Sequence, residues 1–378
     1  MEPLTDANIH KAVKLWCSDQ AQANDKYGNI SHWNTREVTD MDELFRDMSD
    51  FNDDISDWDV SNVTNMSYMF QGAFSFNQPI GKWNVSNVTN MQEMFAYASA
   101  FNQPLGQWNV GNVTNMGSMF QGASAFNQPL GQWNVGNVTN MGRMFYEASA
   151  FNQPIGEWNV GNVTNMSWMF RGARSFNQSI EEWNVGNVTT MEGMFFYTRT
   201  FNQPLEQWNV GNVTNMWSMF TGASVFNQPL GQWNVSNVTN MHSMFWGASA
   251  FNHDISHWMV IKEPDMTDMF NRSAYTYQEP NVEDARQRFT EKTNLMLLGH
   301  RAETENSDDE DSMSIAQRKV LSIPGVVSTA NAFLGGNRRR NTQKRKYKTI
   351  NNKSKKKNIS RKRKQSKKKI RKQRKIKR

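Results

Sequence analysis

Six histidines are the side chains of this sequence most able to do acid–base or metal chemistry near neutral pH, and two of them, His253 and His257, stand four apart. That spacing puts two rings on one face only where the segment is helical. Here it spans a loop running into the segment around Trp258, so both rings are expected to be satisfied within a terminal repeat. Cys17 is the only cysteine, which excludes an intrachain disulfide and a cysteine-rich zinc site. The sequence has no glycine-rich phosphate loop, no Gly-x-Ser-x-Gly elbow and no complete calcium loop of the Asp-x-Asp-x-Asp-Gly kind. No catalytic residue, cofactor or metal ligand is therefore assigned, and an enzyme is not expected.

What remains is the chemistry of recognition. Large aromatics and arginines stand out from the repeated background at Tyr146, Trp168, Arg171, Phe196, Tyr197, Trp217 and Trp246, accompanied by Tyr97, Arg143, Arg174 and Arg199. Such side chains anchor protein interfaces when they are exposed. The alternative is that the rings pack on neighbouring loops. A second candidate is ionic. Residues 338–378 hold 24 Lys or Arg and no Asp or Glu, including Arg338, Arg339, Arg340, Lys344, Arg345, Lys346, Lys355, Lys356, Lys357, Arg361, Lys362, Arg363 and Lys364. A run of this kind binds nucleic acid or another polyanion through counterion release, or serves a nuclear-import receptor. The net charge of +7 conceals the asymmetry, because the rest of the chain carries 18 basic against 35 acidic residues.

These residues are carried by a repeat. A tryptophan recurs every 25 residues at Trp33, Trp58, Trp83, Trp108, Trp133, Trp158, Trp183, Trp208, Trp233 and Trp258. A fixed period of this length implies stacked units, since one unit is too small to bury its apolar face alone. Within a unit, Trp108 and Val110 alternate with Gln107 and Asn109, the period of a strand buried on one face. Gly111-Asn112 turns the chain, and Val113, Met116, Met119 and Phe120 follow with the spacing of a short helical or 3-10 segment. The expected fold is an α/β repeat solenoid, leucine-rich-repeat-like and right-handed. It would have about ten 25-residue coils of short strand, turn and short helix or 3-10 segment, with helical caps and a disordered basic tail. Of 23 Phe, 19 fall on two ladders, Phe45 to Phe270 and Phe51 to Phe251, expected in the core. The Asn that follows most of the tryptophans, as at Asn109 and Asn134, is expected to hydrogen-bond up the stack.

The expected organisation is an N-terminal helical cap (1–30), the solenoid (31–272), a C-terminal cap helix (273–302), an acidic flexible linker (303–337) and the polybasic tail (338–378). Thr5-Asp6 before Ile9, Ala12, Val13 and Trp16 reads as a capped amphipathic helix. Eight Asn-Val-Thr sequons, Asn62 to Asn237, read as structural. The opening residues lack a secretory signal, and no apolar run approaches the roughly 18 residues of a membrane span. An intracellular protein is expected, with the nucleus or a virion among its locations.

The phrase Trp-Asn-Val-(Ser/Gly)-Asn-Val-Thr-Asn-Met-x-x-Met-Phe, followed by Phe-Asn-Gln-Pro, resembles the BspA-like leucine-rich repeats, 25-residue units also found in mycoplasma-type surface lipoproteins. The resemblance covers roughly 240 residues. It implies a solenoid of a kind whose members mostly bind other proteins or cell-surface matrix, and by itself it implies the cell surface. Two departures stand out: neither a signal peptide nor a lipid anchor is expected from the opening residues, and Val113 occupies the position where ordinary leucine-rich repeats carry Asn. An unanchored member with a Lys/Arg tail is similar to copies encoded by large DNA viruses of algae and protists. The expected function is a non-enzymatic scaffold for an unidentified protein partner, with the tail contacting a polyanion or directing targeting. The alternative is a nucleic-acid-binding or virion-packaging protein acting through residues 338–378. Oligomeric state is left open.

Overall fold

The computed structural model describes residues 3–291. Helix α1 (Ile9–Ser18) buries Ile9, Ala12, Val13 and Trp16, one stripe at helical spacing. Helix α2 (Gln20–Tyr27) is capped by the Asp19 carboxylate, which accepts from the Gln22 N–H at 3.0 Å, and buries Ala23 and Tyr27. A single 3-10 turn, Ile30–His32, follows. Thr5-Asp6 is not the helix cap expected from the sequence. Asp6 instead accepts from the amide and hydroxyl of Thr39 (2.7 Å each) and from the Asp40 amide (3.1 Å). Together with the Trp16 indole N–H donating to Asp53 (2.7 Å), this ties the helical cap to the first coil.

Beyond the cap, residues 25 apart lie side by side. Parallel bridges run from Asp40 to Asn65, Asn65 to Asn90, and onward without a break to Asp265. The backbone alternates between two kinds of partner. The amides of Met66, Tyr68, Phe70 and Gly72 donate to the next coil, at the carbonyls of Asn90, Gln92, Met94 and Ala96 (3.0, 2.8, 2.9 and 2.8 Å). Those of Met69, Gln71 and Ala73 donate three residues back within their own coil, to Met66, Tyr68 and Phe70. Tyr68 and Gly72 have positive φ (57° and 69°), as the third residue of a type II turn requires, and the same two positions are left-handed in coil after coil.

This corrects the reading of the single coil. Residues 105–110 form no strand and 113–122 no helix; both are chains of turns. Trp108 and Val110 do point inward while Gln107 and Asn109 are exposed. The backbone there bends, with the Trp108 and Val113 amides donating to the Leu105 and Val110 carbonyls (both 3.0 Å). A left-handed residue every fourth position breaks any helix over 113–122, and donation to the next coil satisfies the amides that a helix would otherwise pair.

The core is a set of columns. Trp33 to Trp258 are buried, and from Trp58 onward each indole N–H donates to a carbonyl 28 residues earlier, as Trp158 does to Leu130 (3.0 Å). Phe70 stacks on Phe95 at 5.6 Å between coils and on Phe76 at 3.9 Å within its coil, so the two Phe columns interlock. The asparagine ladder lies elsewhere than expected. Asn109 accepts from the Gly111 amide in its own turn (3.2 Å). The stacked amides are Asn140 to Asn115 and Asn165 to Asn140 (3.0 Å each), and the Phe-Asn-Gln-Pro asparagines, where Asn127 accepts from the Asn152 amide (2.9 Å). Each sequon asparagine donates through Nδ2 to a carbonyl 26 residues earlier, as Asn137 does to Gly111 (2.7 Å).

At the far end Tyr275 continues a Phe column, stacked 6.2 Å from Phe251 and 4.0 Å from Phe270. Helix α3 begins at residue 282 and runs to 291, where the described residues end. It buries Ala285, pairs Arg286 with Glu263, and donates from Arg288 to the Ser256 carbonyl (3.3 Å). Residues 292–302 of the expected cap, the linker and the tail lie outside the described residues. Among those described, no helix is long and apolar enough to cross a membrane.

Candidate protein-interaction surface

Because every coil repeats the same turns, side chains at equal positions stand in columns, and large side chains are accommodated by what the next coil omits. One left-handed column reads Asp47, Gly72, Tyr97, Gly122, Glu147, Gly172, Tyr197 and Gly222 before a second glycine, Gly247, and then Arg272 end the alternation. Bulky residues and glycines alternate because the former lie over the latter. A Cβ at Gly122 would fall 2.5 Å from Tyr97 Cδ1, and one at Gly222 would fall 2.8 Å from Tyr197 Cδ1. This 50-residue pattern within the 25-residue repeat is visible in the sequence as bulky residues alternating with glycines.

The second left-handed column carries Trp168, followed by Gly193 (φ 56°). The Trp168 ring covers Gly193 so closely that a Cβ there would sit 2.1 Å from Cε3 and 2.2 Å from Cζ3. The ring thereby crosses a whole coil and meets the edge of Trp217, two coils on, at 5.5 Å. Phe196 meets it edge-on at 5.6 Å, and Tyr197 packs against Phe196 at 4.7 Å. Arg171 lies over Tyr146 (4.5 Å), Phe196 (5.1 Å) and Trp168 (5.8 Å), and its Nη1 pairs with Glu147 at 2.9 Å. Burial, together with the nearby Arg143 charge, pulls the Arg171 guanidinium below its ordinary pKa.

The structure thus brings together Tyr146, Trp168, Arg171, Phe196, Tyr197 and Trp217. All six are half-buried, one side packed on the coils and the other open. Both sequence readings of the rings, packing and exposure, are realised in the same side chains. Trp246 stands apart from them, beneath Arg272 at 5.1 Å. The thirteen Lys and Arg singled out between Arg338 and Lys364 lie outside the described residues.

His253 and His257 each contact a backbone carbonyl of the preceding coil, Asn227 at 3.0 Å and Gly231 at 3.1 Å. Among the described residues, no three of His, Cys, Asp and Glu gather as metal ligands. Cys17 is exposed at the surface and lies 3.1 Å from the Met48 sulfur; partial desolvation of the sulfur and the nearby Asp53 charge push its thiol up to about 11, so it stays protonated at neutral pH.

No curated protein and no solved structure matches the chain. One family model matches it three times, over residues 17–130, 103–198 and 175–284, overlapping copies that together take in the second cap helix and all the coils. With well over half its length matched as successive copies of one unit, the chain belongs to the family described as Mycoplasma protein of unknown function, DUF285.

Proposed function

We propose that the protein is a non-catalytic repeat scaffold, a right-handed leucine-rich-repeat-like solenoid that binds another protein through the half-open aromatic column around Trp168. The observation that carries this reading is the cluster itself. Six large or cationic side chains that depart from the repeated background converge on one patch, and the Trp168 ring is held over Gly193 without a competing side chain. Preset aromatic and arginine side chains lose little freedom on binding and contribute most of the energy at interface centres. The resemblance to BspA-like repeats, whose members mostly bind other proteins or cell-surface matrix, supports the same reading. The test is affinity capture with the full chain and with a Trp168→Ala/Trp217→Ala variant. Partner affinity should fall by at least about 2 kcal/mol while the circular dichroism spectrum is unchanged. A correctly folded variant that captures its partners as well as the parent chain would refute it.

A second reading rests on the 24 Lys and Arg of residues 338–378. A nucleic-acid-binding or packaging role, in a virus or elsewhere, would act through that segment. Affinity for DNA or RNA would then fall log-linearly with salt, with a slope of roughly −0.9 per neutralised phosphate. It would also survive scrambling of the segment at constant composition.

A further inference from the structure

The arginines around the aromatic column are out of keeping with the rest of the coils. Between residues 47 and 261 there are five Lys or Arg, and four of them are Arg143, Arg171, Arg174 and Arg199. Arg171 is committed to Glu147 and to the rings beneath it. Arg143, Arg174 and Arg199 are exposed, and among the described residues none has a carboxylate within ion-pairing distance. Arg199 lies 5.4 Å over the Tyr197 ring, and Arg143 is close enough to Arg171 to disfavour its charge. The three are cations without a carboxylate partner on a fold that carries 28 acidic and 14 basic residues over 3–291. Nothing in the coil geometry requires them. Ser118, Ser218 and Ser243 occupy the Arg143 column at the same positive φ, and Ser124 and Ser149 occupy the column of Arg174 and Arg199.

From this juxtaposition we infer that the partner presents an acidic, aromatic-containing protein segment, its carboxylates on Arg143, Arg174 and Arg199 and its apolar side chains against Trp168 and Trp217. The inference rests on the protein-binding reading above and adds the chemistry of the partner. Carboxylates meet guanidinium groups with two parallel hydrogen bonds, and the ring faces between them exclude water from those bonds. Nucleic acid is the less favoured occupant of this patch, since the surrounding coils are acidic and would repel a continuous phosphate backbone.

Hydroxyl-radical footprinting of the full chain with a synthetic poly(Glu,Tyr) copolymer as probe tests this. Oxidation of Trp168, Trp217 and Tyr146 should fall severalfold, while the exposed Phe74 and Tyr97 serve as unprotected references. The Arg143→Ser/Arg174→Ser/Arg199→Ser variant should lose that protection while keeping its thermal midpoint, because the chain carries serine at the same positions of other coils. Any probe held by residues 338–378 is common to both proteins and cancels in the comparison. Equal protection of the variant, or no protection of either protein, would overturn the inference. Equal protection by poly(Lys,Tyr) would overturn the acidic partner and leave a protein interface standing. Stronger protection by oligo-dT than by poly(Glu,Tyr) would move the occupant to nucleic acid. Failure of the protein-binding reading would show separately, as capture indifferent to Trp168 and Trp217.

Discussion

Adding one methyl group at Gly193 should dismantle the aromatic cluster. The new Cβ would lie 2.1, 2.2 and 2.6 Å from three atoms of the Trp168 ring, where ordinary contact begins near 3.4 Å. The ring must therefore withdraw by more than 1 Å, roughly, and the coil beneath it cannot yield because its amide donates to Trp217 at 2.8 Å. Withdrawal breaks edge contacts to Phe196 and Trp217 and loosens the Arg171 contact, at about 0.5–1.5 kcal/mol for each aromatic pair. The positive φ of 56° adds about 1 kcal/mol more, a cost that other coils already bear with Ser, Glu or Arg at this column. Gly193→Ala should thus lose about 2–4 kcal/mol. Gly247→Ala is the control. It shares a positive φ of 67° but meets nothing nearer than 3.8 Å, so it should lose only the backbone part, about 1 kcal/mol. Urea unfolding of the two variants measures the difference, and footprinting reports whether Trp168 becomes more exposed in the first. Equal midpoints, with Trp168 as protected as in the parent, would refute the account of the cluster.

Replacing Trp158 by Ala should cost about 3–5 kcal/mol by the same measurement, since it opens a cavity in the column and leaves the Leu130 carbonyl without its indole donor. Acid should open the ends of the stack first. Asp59 and Asp265 stand where the middle coils carry Asn, and both are held below the usual 3.8, Asp59 chiefly by the Ser61 hydroxyl and Asp265 chiefly by the Thr267 amide. A depressed folded-state pKa contributes stability that is present above 3.8 and lost as the pH falls below it. Hydrogen exchange should therefore accelerate in the terminal coils before the middle ones below that pH, and Asp59→Asn/Asp265→Asn should narrow the difference, with Asp6, Asp54 and Asp254, which are also held low, accounting for what remains. Uniform acceleration along the stack would contradict it.

Much of this architecture is visible in the residues, and the parts that are not have identifiable causes. Burial of Trp, Val, Met and Phe follows directly from the 25-residue period and the alternation around Trp108, because both set which side chains face inward whatever the backbone bonding. The turns do not follow. Helical spacing of Val113, Met116, Met119 and Phe120 is also the spacing of two successive turns, and only φ separates them. Glu43, Arg143 and Trp168 carry no mark of the left-handed conformation they adopt, since inter-coil hydrogen bonding imposes it. The asparagine ladder lies one turn away from its expected place because Asn109 and Asn140 are equally polar and equally repeated. What separates them is that Asn109 folds onto its own turn. The members of the aromatic column were readable as departures from the repeat. Their convergence was not, because Trp168 reaches Trp217 only across the gap left by Gly193.

The account stands or falls on coils stacked in 25-residue register, and deleting residues 126–150 tests that most directly. The cut removes one whole period and brings the Gly122 coil against the Gly172 coil, small residue on small residue, with every column rejoined. A shortened chain with cooperative unfolding and the parent's circular dichroism per residue is the result expected, whereas removing 127–150, one residue fewer, should misalign every column beyond the cut and abolish cooperative folding. If the two deletions behave alike, the stacked register is wrong.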